Sequence, residues 1–251
     1  MTTIALYSNK GGVGKTAATV NLAYLAAQAG LTTLVCDLDP QASSTFYFRV
    51  KPTLKKKARG LEKSNAALDA SIKGSDYRNL DLLPADFTHR RLDIQFSKHE
   101  RSQSLLRETL APLQGEYDLL LLDCPPTINL LAENIFQASD YLLTPLVPTT
   151  LSLRTYDQLR VFLAKTDGDP QRLYLFFSMV DRRKKLHRET VEEVRETYDA
   201  VLPTVIPYSS IVEQMGLYRE PTLVYAPKSP AALAYQSLWR DVETHMLGRS
   251  T

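Results

Sequence analysis

Nine consecutive residues near the start of the chain, Ser8-Asn9-Lys10-Gly11-Gly12-Val13-Gly14-Lys15-Thr16, hold two lysines and three of the 10 glycines in the whole sequence. Glycines let successive backbone N–H groups curl around an anion, and a helix that follows adds the partial positive charge of its N-terminus. Gly14-Lys15-Thr16 satisfies the end of the phosphate-loop pattern G-x-x-x-x-G-K-[ST], but Asn9 stands where that pattern has its first glycine. Asparagine tolerates left-handed backbone better than most side-chain-bearing residues, so Asn9 is expected to keep the turn by that route. The expected cradle runs through Gly11, Gly12, Val13, Gly14, Lys15, Thr16 and Ala17. Within it, Lys15 would bridge the β and γ phosphates of a nucleotide and the Thr16 hydroxyl would ligate Mg²⁺.

Carboxylates close two apolar runs. Asp37 and Asp39 follow Thr32–Cys36, and alternation along an extended chain is expected to turn both toward one site. Asp123 ends the run Leu119–Leu122 and precedes Pro125-Pro126. A lone aspartate after a strand often serves only as a turn or cap residue, yet the strand-end position and the prolines favour a site role. Cys36 and Cys124 lack C-x-x-C spacing and read as small buried residues, not as a metal or cluster site. His89, His99, His187 and His245 show no ligand spacing either.

These residues need elements to position them. Short apolar runs recur at Ile4–Tyr7, Thr32–Cys36, Leu80–Leu83, Leu119–Leu122, Tyr141–Val147, Leu173–Met179 and Val205–Ile206, mostly continuous in Leu, Val and Ile. Parallel strands buried on both faces have this character. Helices are expected at Lys15–Ala29, 102–113, Ile128–Ala138, Leu151–Lys165, Glu189–Ala200 and Ala231–Met246, with Gly30 ending the first. The fold class is therefore α/β, a mostly parallel twisted sheet with helices on both faces. Ligands in such folds bind beyond the carboxyl ends of the strands, where the unusual residues cluster.

KGGVGKT, with its second lysine at Lys10, resembles the deviant Walker A box of the ParA/MinD family of dimeric ATPases. VCDLDPQASST (35–45) resembles the family's second box, LLLLDCPP (119–126) its Walker B box and LDLLPAD (80–86) an intervening strand. VIPYSSIVEQMG followed by EPTLVYAPKSPAALAY resembles the closing segment of ParA-type members. The resemblance implies phosphate-loop NTPase architecture, ATP and Mg²⁺ as cofactors, and a nucleotide-sandwich homodimer. Lys10 would reach the partner's phosphates, where a second cation neutralises charge that Mg²⁺ leaves. Asp39 would orient or deprotonate the attacking water, Asp37 would support the switch loop and the water shell of the metal, and Asp123 would hold Mg²⁺ through water. Asp181, Pro207 and Tyr208 lie where members build the adenine pocket. Asp181 could accept from the adenine amino group and repel a guanine carbonyl, which favours ATP over GTP, or it could simply open the turn behind it.

Two basic runs interrupt a nearly neutral chain (Lys+Arg 30, Asp+Glu 28, net +2). Arg49–Arg59 carries six Lys/Arg and no acid, and Arg182–Arg188 carries five in seven residues. Such runs are either solvated loops or polyanion contacts. ParA-type proteins bind DNA without sequence specificity, which makes Arg182, Arg183, Lys184, Lys185 and Arg219 the candidate DNA contacts, with Lys228 nearby. MinD-type members instead end in a basic amphipathic membrane helix. Here Leu238, Trp239, Val242 and Met246 share a helical face, but Asp241 and Glu243 spoil a basic stripe, so a core-packing last helix is expected.

Composition narrows the rest. Hydrophobic residues at 44% and charged residues at 23% describe an ordinary chain with a real core, which argues against disorder or a coiled coil. Apolar stretches fall short of the ~18 residues a membrane span needs, no signal peptide is apparent, and two cysteines suit a reducing cytoplasm. Residues 1–251 are expected to form one domain that begins at its first strand, with no N-terminal helix-turn-helix. The expectation is a cytoplasmic, nucleoid-associated ATPase that positions a plasmid, chromosome region or protein compartment. Its hydrolysis would be weak and stimulated by a ParB-like or cargo-adaptor partner, with no membrane contact. A MinD-like membrane-cycling ATPase is the alternative. A ligase or reductase ATPase of the same fold would need substrate or cluster residues that the sequence does not display.

Overall fold

The computed structural model describes residues 1–50, 68, 70–85, 103–165 and 169–249. Eight strands form one sheet in the order β3-β4-β2-β5-β1-β6-β7-β8. They are β1 (Thr2–Leu6), β2 (Thr33–Asp37), β3 (Lys73–Gly74), β4 (Leu80–Leu83), β5 (Leu119–Asp123), β6 (Tyr141–Leu146), β7 (Leu173–Val180) and β8 (Val201–Pro207). Every pairing is parallel except β3 with β4 at one edge, a short strand with no apolar run to signal it. The chain moves outward from β1 through β2 and β4, returns to insert β5 between β2 and β1, then continues on the other side as β6, β7 and β8. β1 thus sits where the winding reverses, the crevice at which α/β sheets take their ligands.

Side chains alternate between two cores, one on each face of the sheet. From β1, Ala5 and Tyr7 enter the first core, while Ile4 and Leu6 enter the second. The first is covered by α3 (Leu105–Leu110), α4 (Leu130–Ala138), α5 (Thr150–Lys165) and α6 (Lys185–Thr197). The second is covered by α1 (Lys15–Gln28), α7 (Ser210–Tyr218), α8 (Thr222–Tyr225) and α9 (Pro230–Met246). Between strand and sheet edge, α2 (Ser43–Tyr47) is a single short turn of helix beyond β2.

Helix α1 is apolar nearly all round because α9 packs over its outer side, and its small residues allow that approach. Gly30 does end it: at φ +86 its N–H bonds to the Ala27 carbonyl while Leu31 N–H bonds to Ala26, a Schellman closure. The face of α9 bearing Leu238, Trp239, Val242 and Met246 is buried in the second core, as expected of a packing helix. Among the described residues, no helix is long and apolar enough to cross a membrane. Helix α6 starts at Lys185, earlier than the expected Glu189, so part of the second basic run is helical. Of the six basic residues in the first run, Arg49 lies among the described residues; the others, Lys51 to Arg59, lie outside them, as do His89 and His99.

Candidate nucleotide site

The loop after β1 is shaped by its second and third glycines. Gly12 and Gly14 take left-handed backbone at φ +71 and +97, whereas Asn9 is absent from the residues with positive φ. The expectation that Asn9 maintains the turn by left-handed geometry is therefore not met, because the reversal falls on Gly12 and Gly14. A Cβ on Gly14 would also lie 2.8 Å from Ser178 Oγ. Gly14 caps α1 without a side-chain bond, so the first amides of the helix have no intrahelical partner. They open on a cleft of about 690 Å³ lined by Gly11, Gly12, Gly14, Lys15, Thr16, Ala17 and Asp39. The buried Val13 side chain lies behind the loop, against Thr144 and Leu159.

Strand register supplies what stands beneath the cleft. Leu6 and Asp37 both pair with Asp123, which sets two aspartates side by side at the carboxyl ends of β2 and β5. Both are fully buried. Asp37 Oδ2 accepts from Thr45 Oγ1 at 2.7 Å and from Thr45 N at 2.8 Å. Asp123 Oδ2 accepts from Ser44 Oγ at 2.6 Å and its Oδ1 from Thr19 Oγ1 at 3.5 Å. Burial drives both carboxyls above the ordinary range, and for Asp37 the neighbouring Asp123 adds to the rise. Hydroxyl donors and Lys15 work against the rise at Asp123. Lys15 is itself buried and its amine is pushed down by that burial, with Asp123 the leading opposing charge. Its Nζ donates to the Lys10 carbonyl at 3.2 Å, across the mouth of the loop.

Asp37 and Asp39 sit at different depths: Asp37 is fully buried, whereas Asp39 lines the cleft. β2 stops at Asp37, and the chain turns so that Asp39 sits half-buried at the cleft, its Oδ1 accepting from Gln41 N at 2.9 Å. Alternation applies only while a strand continues, and it does not continue past Asp37. Lys10 stands outside the cleft lining. Its Nζ reaches Ser152 Oγ at 3.0 Å, at the start of α5 in the same chain.

Three residues expected at the adenine pocket are not among those that line the cleft. The Asp181 carboxylate is held by the Arg183 guanidinium at 2.9 and 3.0 Å, which keeps its pKa down at about 2. Pro207 ends β8, and the exposed Tyr208 donates its hydroxyl to Glu213 Oε1 at 3.0 Å. The cleft at this end is lined instead by Met179, Val212 and Glu213, the last two from α7. Val212 and Glu213 fall within the VIPYSSIVEQMG segment and Met179 (φ +55) ends an expected strand, but nothing in their spacing indicated that they line the cleft. Ser43, within the VCDLDPQASST segment, and Tyr47, just beyond it, also line the cleft from α2.

Arg182, Arg183, Lys184 and Lys185 are exposed on the turn between β7 and α6. Arg183 is paired with Asp181 and Lys185 with Glu189 at 3.4 Å. His187 is buried under the turn, where Nδ1 accepts from Asp181 N at 3.1 Å. Arg219 lies apart from this run and donates from Nε to the Phe46 carbonyl at 2.9 Å. Cys36 and Cys124 are buried free thiols, and no cluster of three metal-ligating side chains exists among the described residues. A larger cleft of about 780 Å³ opens at the amino ends of β1 and β6. Its Asp140 accepts from Thr3 N and its Arg172 donates to the Ser139 carbonyl, so these charges fasten strand ends.

A glycine-turned loop, an open helix N-terminus, a buried lysine and paired strand-end aspartates define a phosphate-loop nucleotide site. A family model described as an AAA domain matches residues 1–172. The sporulation initiation inhibitor protein Soj of Bacillus subtilis is 29% identical over 245 residues, covering 95% of this chain and 97% of Soj. The chromosome partitioning protein ParA of Caulobacter vibrioides is 30% identical over 248 residues, covering 95% and 92%. A crystal structure of a putative plasmid partition protein from Borrelia burgdorferi, bound to AMPPNP, superposes with a TM-score of 0.84 at 23% identity, covering 98% of this chain and 99% of that one. The chain belongs to the ParA/MinD family of ATPases.

Proposed function

We propose that this chain is a ParA-type ATPase. It binds ATP and Mg²⁺ at the glycine loop, dimerises through the bound nucleotide, and holds DNA without sequence specificity while it positions a cargo. The observation that carries the reading is the buried Asp37–Asp123 pair beneath Lys15, next to an anion cradle made by Gly12, Gly14 and the start of α1. Two adjacent buried carboxylates are costly unless a cation joins them. A cleft with free amides above and carboxylates below suits a phosphate chain and a divalent ion together.

Bound ATP with Mg²⁺ supplies the phosphoanhydride that hydrolysis cleaves. Lys15 neutralises phosphate charge, and the loop amides orient it. Thr16, which lines the cleft, and the buried Asp123 are the groups that would hold the metal, with Asp37 supporting its water shell. Positioning of the attacking water falls to Asp39, since phosphoryl transfer requires little formal base catalysis. Lys10, parked on Ser152, is the cation that would cross to the partner subunit. Arg182, Arg183, Lys184, Lys185 and Arg219 are the proposed DNA contacts, and a ParB-like or cargo-adaptor protein the proposed stimulator. The reading is of a cytoplasmic, nucleoid-associated protein. Burial of the apolar face of α9 favours it over membrane cycling.

Cosedimentation with DNA and with liposomes, each with ATP, ADP or no nucleotide, tests it. ATP-dependent pelleting with DNA and none with liposomes is expected, and Asp39→Ala should trap the DNA-bound dimer. Normal ATP turnover by Asp39→Ala would overturn the assignment of that residue; pelleting with liposomes alone would overturn the DNA reading.

A further inference from the structure

Helix α2 is gripped from two sides. Toward the cleft, Ser44 holds Asp123 at 2.6 Å and Thr45 holds Asp37 at 2.7 Å. On the outside, Arg219 donates to the Phe46 carbonyl at 2.9 Å and lays its guanidinium 4.4 Å from the centroid of the Phe46 ring. The residues that flank these contacts are tied as well. Arg49, just past α2, bonds to Glu220 at 2.9 Å and to Asp76 at 3.1 Å.

The backbone here is strained at three points. Ala42 (φ +54) precedes α2, Arg49 (φ +58) follows it, and Arg219 (φ +53) ends α7. Non-glycine residues in the left-handed region cost free energy and persist only where their surroundings hold them. Ala42 has no polar side chain with which to offset that cost. Two sets of contacts thus hold one short turn whose end residues, Ala42 and Arg49, take left-handed backbone.

We infer that α2 couples the nucleotide cleft to the Arg219 surface, so that Arg219 is withheld from a polyanion while Ser44 and Thr45 hold the two aspartates. The inference rests on the proposed nucleotide site and on Arg219 as a polyanion contact. A metal with its water shell at Asp123 and Asp37 competes for the carboxylate oxygens that Ser44 and Thr45 now occupy. Release of these hydroxyls moves Phe46, the next residue along, and with it the carbonyl and ring that engage Arg219. The guanidinium is then available to phosphate oxygens. Coupling of this kind is reciprocal: a polyanion that draws Arg219 away loosens α2 and favours the occupied cleft.

The test uses the full chain with Phe46→Leu and Glu220→Gln, neither of which touches the proposed nucleotide contacts. Plasmid-length duplex DNA is titrated with and without Mg²⁺-ATP. The ratio of the two affinities should fall at least about fivefold in both variants, the low end of ordinary coupling, because nucleotide-free binding rises. Arg219→Ala should instead weaken the Mg²⁺-ATP state and leave nucleotide-free binding nearly unchanged. Hydrogen exchange over residues 42–50 and 215–225 supplies a readout that does not need DNA. In the unmodified chain both segments should respond together to Mg²⁺-ATP, and in Phe46→Leu only the first should. An unchanged affinity ratio in both variants overturns the inference. So does a 215–225 segment in the unmodified chain that ignores Mg²⁺-ATP while 42–50 responds. A chain that binds no DNA yet shows the coupled exchange response overturns the DNA reading and leaves the coupling standing.

Discussion

The loop at Ser8–Thr16 and the turn at Asp181–Arg188 have the same local plan: a parallel strand ends, a cationic turn follows, and a helix begins. They differ in where the cations and the amides end up. In the first, Gly12 and Gly14 reverse the backbone, Lys15 is buried and the N–H groups of α1 face a cleft. In the second, the residues from Arg182 to Lys185 stay exposed and Asp181 neutralises Arg183 within the same turn. The first can form short, directed hydrogen bonds to one phosphate chain. The second projects a charge into solvent, where salt screens it and no single geometry is preferred. The second turn holds five Lys/Arg against two in the first, so it is not the number of cations but the glycines that separate a specific cradle from a diffuse field.

Removal of the buried cation should break the contrast most completely. Lys15→Ala is expected to weaken ATP binding by about 30-fold or more, in line with about 2 kcal/mol or more for truncating a desolvated charge partner; equilibrium binding of a fluorescent ATP analogue measures it. Gly14→Ala tests the backbone itself. It combines φ +97 with a contact at 2.8 Å to Ser178 Oγ, and should cost about 1–3 kcal/mol in thermal unfolding. Adding Ser178→Ala should relieve the contact and leave the backbone strain, so full rescue would show that φ contributes nothing.

On the second turn the effects are smaller and depend on salt. Arg182→Ala with Arg183→Ala should leave ATP binding unchanged and reduce the slope of log K against log salt for DNA by about two, if each arginine neutralises one phosphate. An unchanged slope would return the turn to the role of a solvated loop. The smallest effect concerns pH. Burial lowers the His187 pKa below its ordinary value of 6.5, so the folded chain binds its proton less readily than the unfolded chain does. The unfolded chain therefore holds more protons as pH falls through 6.5, and stability contributed by this site is full above that value and lost below it. Protonation also removes the acceptor for Asp181 N–H. His187→Gln should flatten this part of the thermal-stability profile between pH 7.5 and 5.5.

Much of the architecture was legible because each signal lay within one element and its adjoining turn. Leu80–Leu83 matches β4 residue for residue, and the run at Leu119–Leu122 needs only Asp123 to complete β5. The weaker β8 was read as Val205–Ile206 alone, because polar Thr204 and Pro203 break its apolar run. Helices α2, α7 and α8 went unread for a related reason: all are short, and their stability comes from tertiary contacts. Asn21 in α1, for example, accepts from both the N–H and the hydroxyl of Thr222 in α8. Met179, Val212 and Glu213 come to line the cleft only through the packing of α7 beside β7, which no local pattern specifies.

The amino-acid sequence by itself determined the phosphate loop, the alternation of strand and helix, and membership of the ParA/MinD family. Each depends on residues close together in the chain, whose spacing and backbone preferences act before any distant contact forms. Only the tertiary structure decided that β5 inserts between β1 and β2, which brings Asp37 beside Asp123 and makes a buried pair of two strand-end residues. It also decided that Lys10 rests on Ser152 and that Arg219 closes on Phe46. Those contacts depend on strand order and helix packing, and the energy of a contact between distant segments is written in no single stretch of the chain.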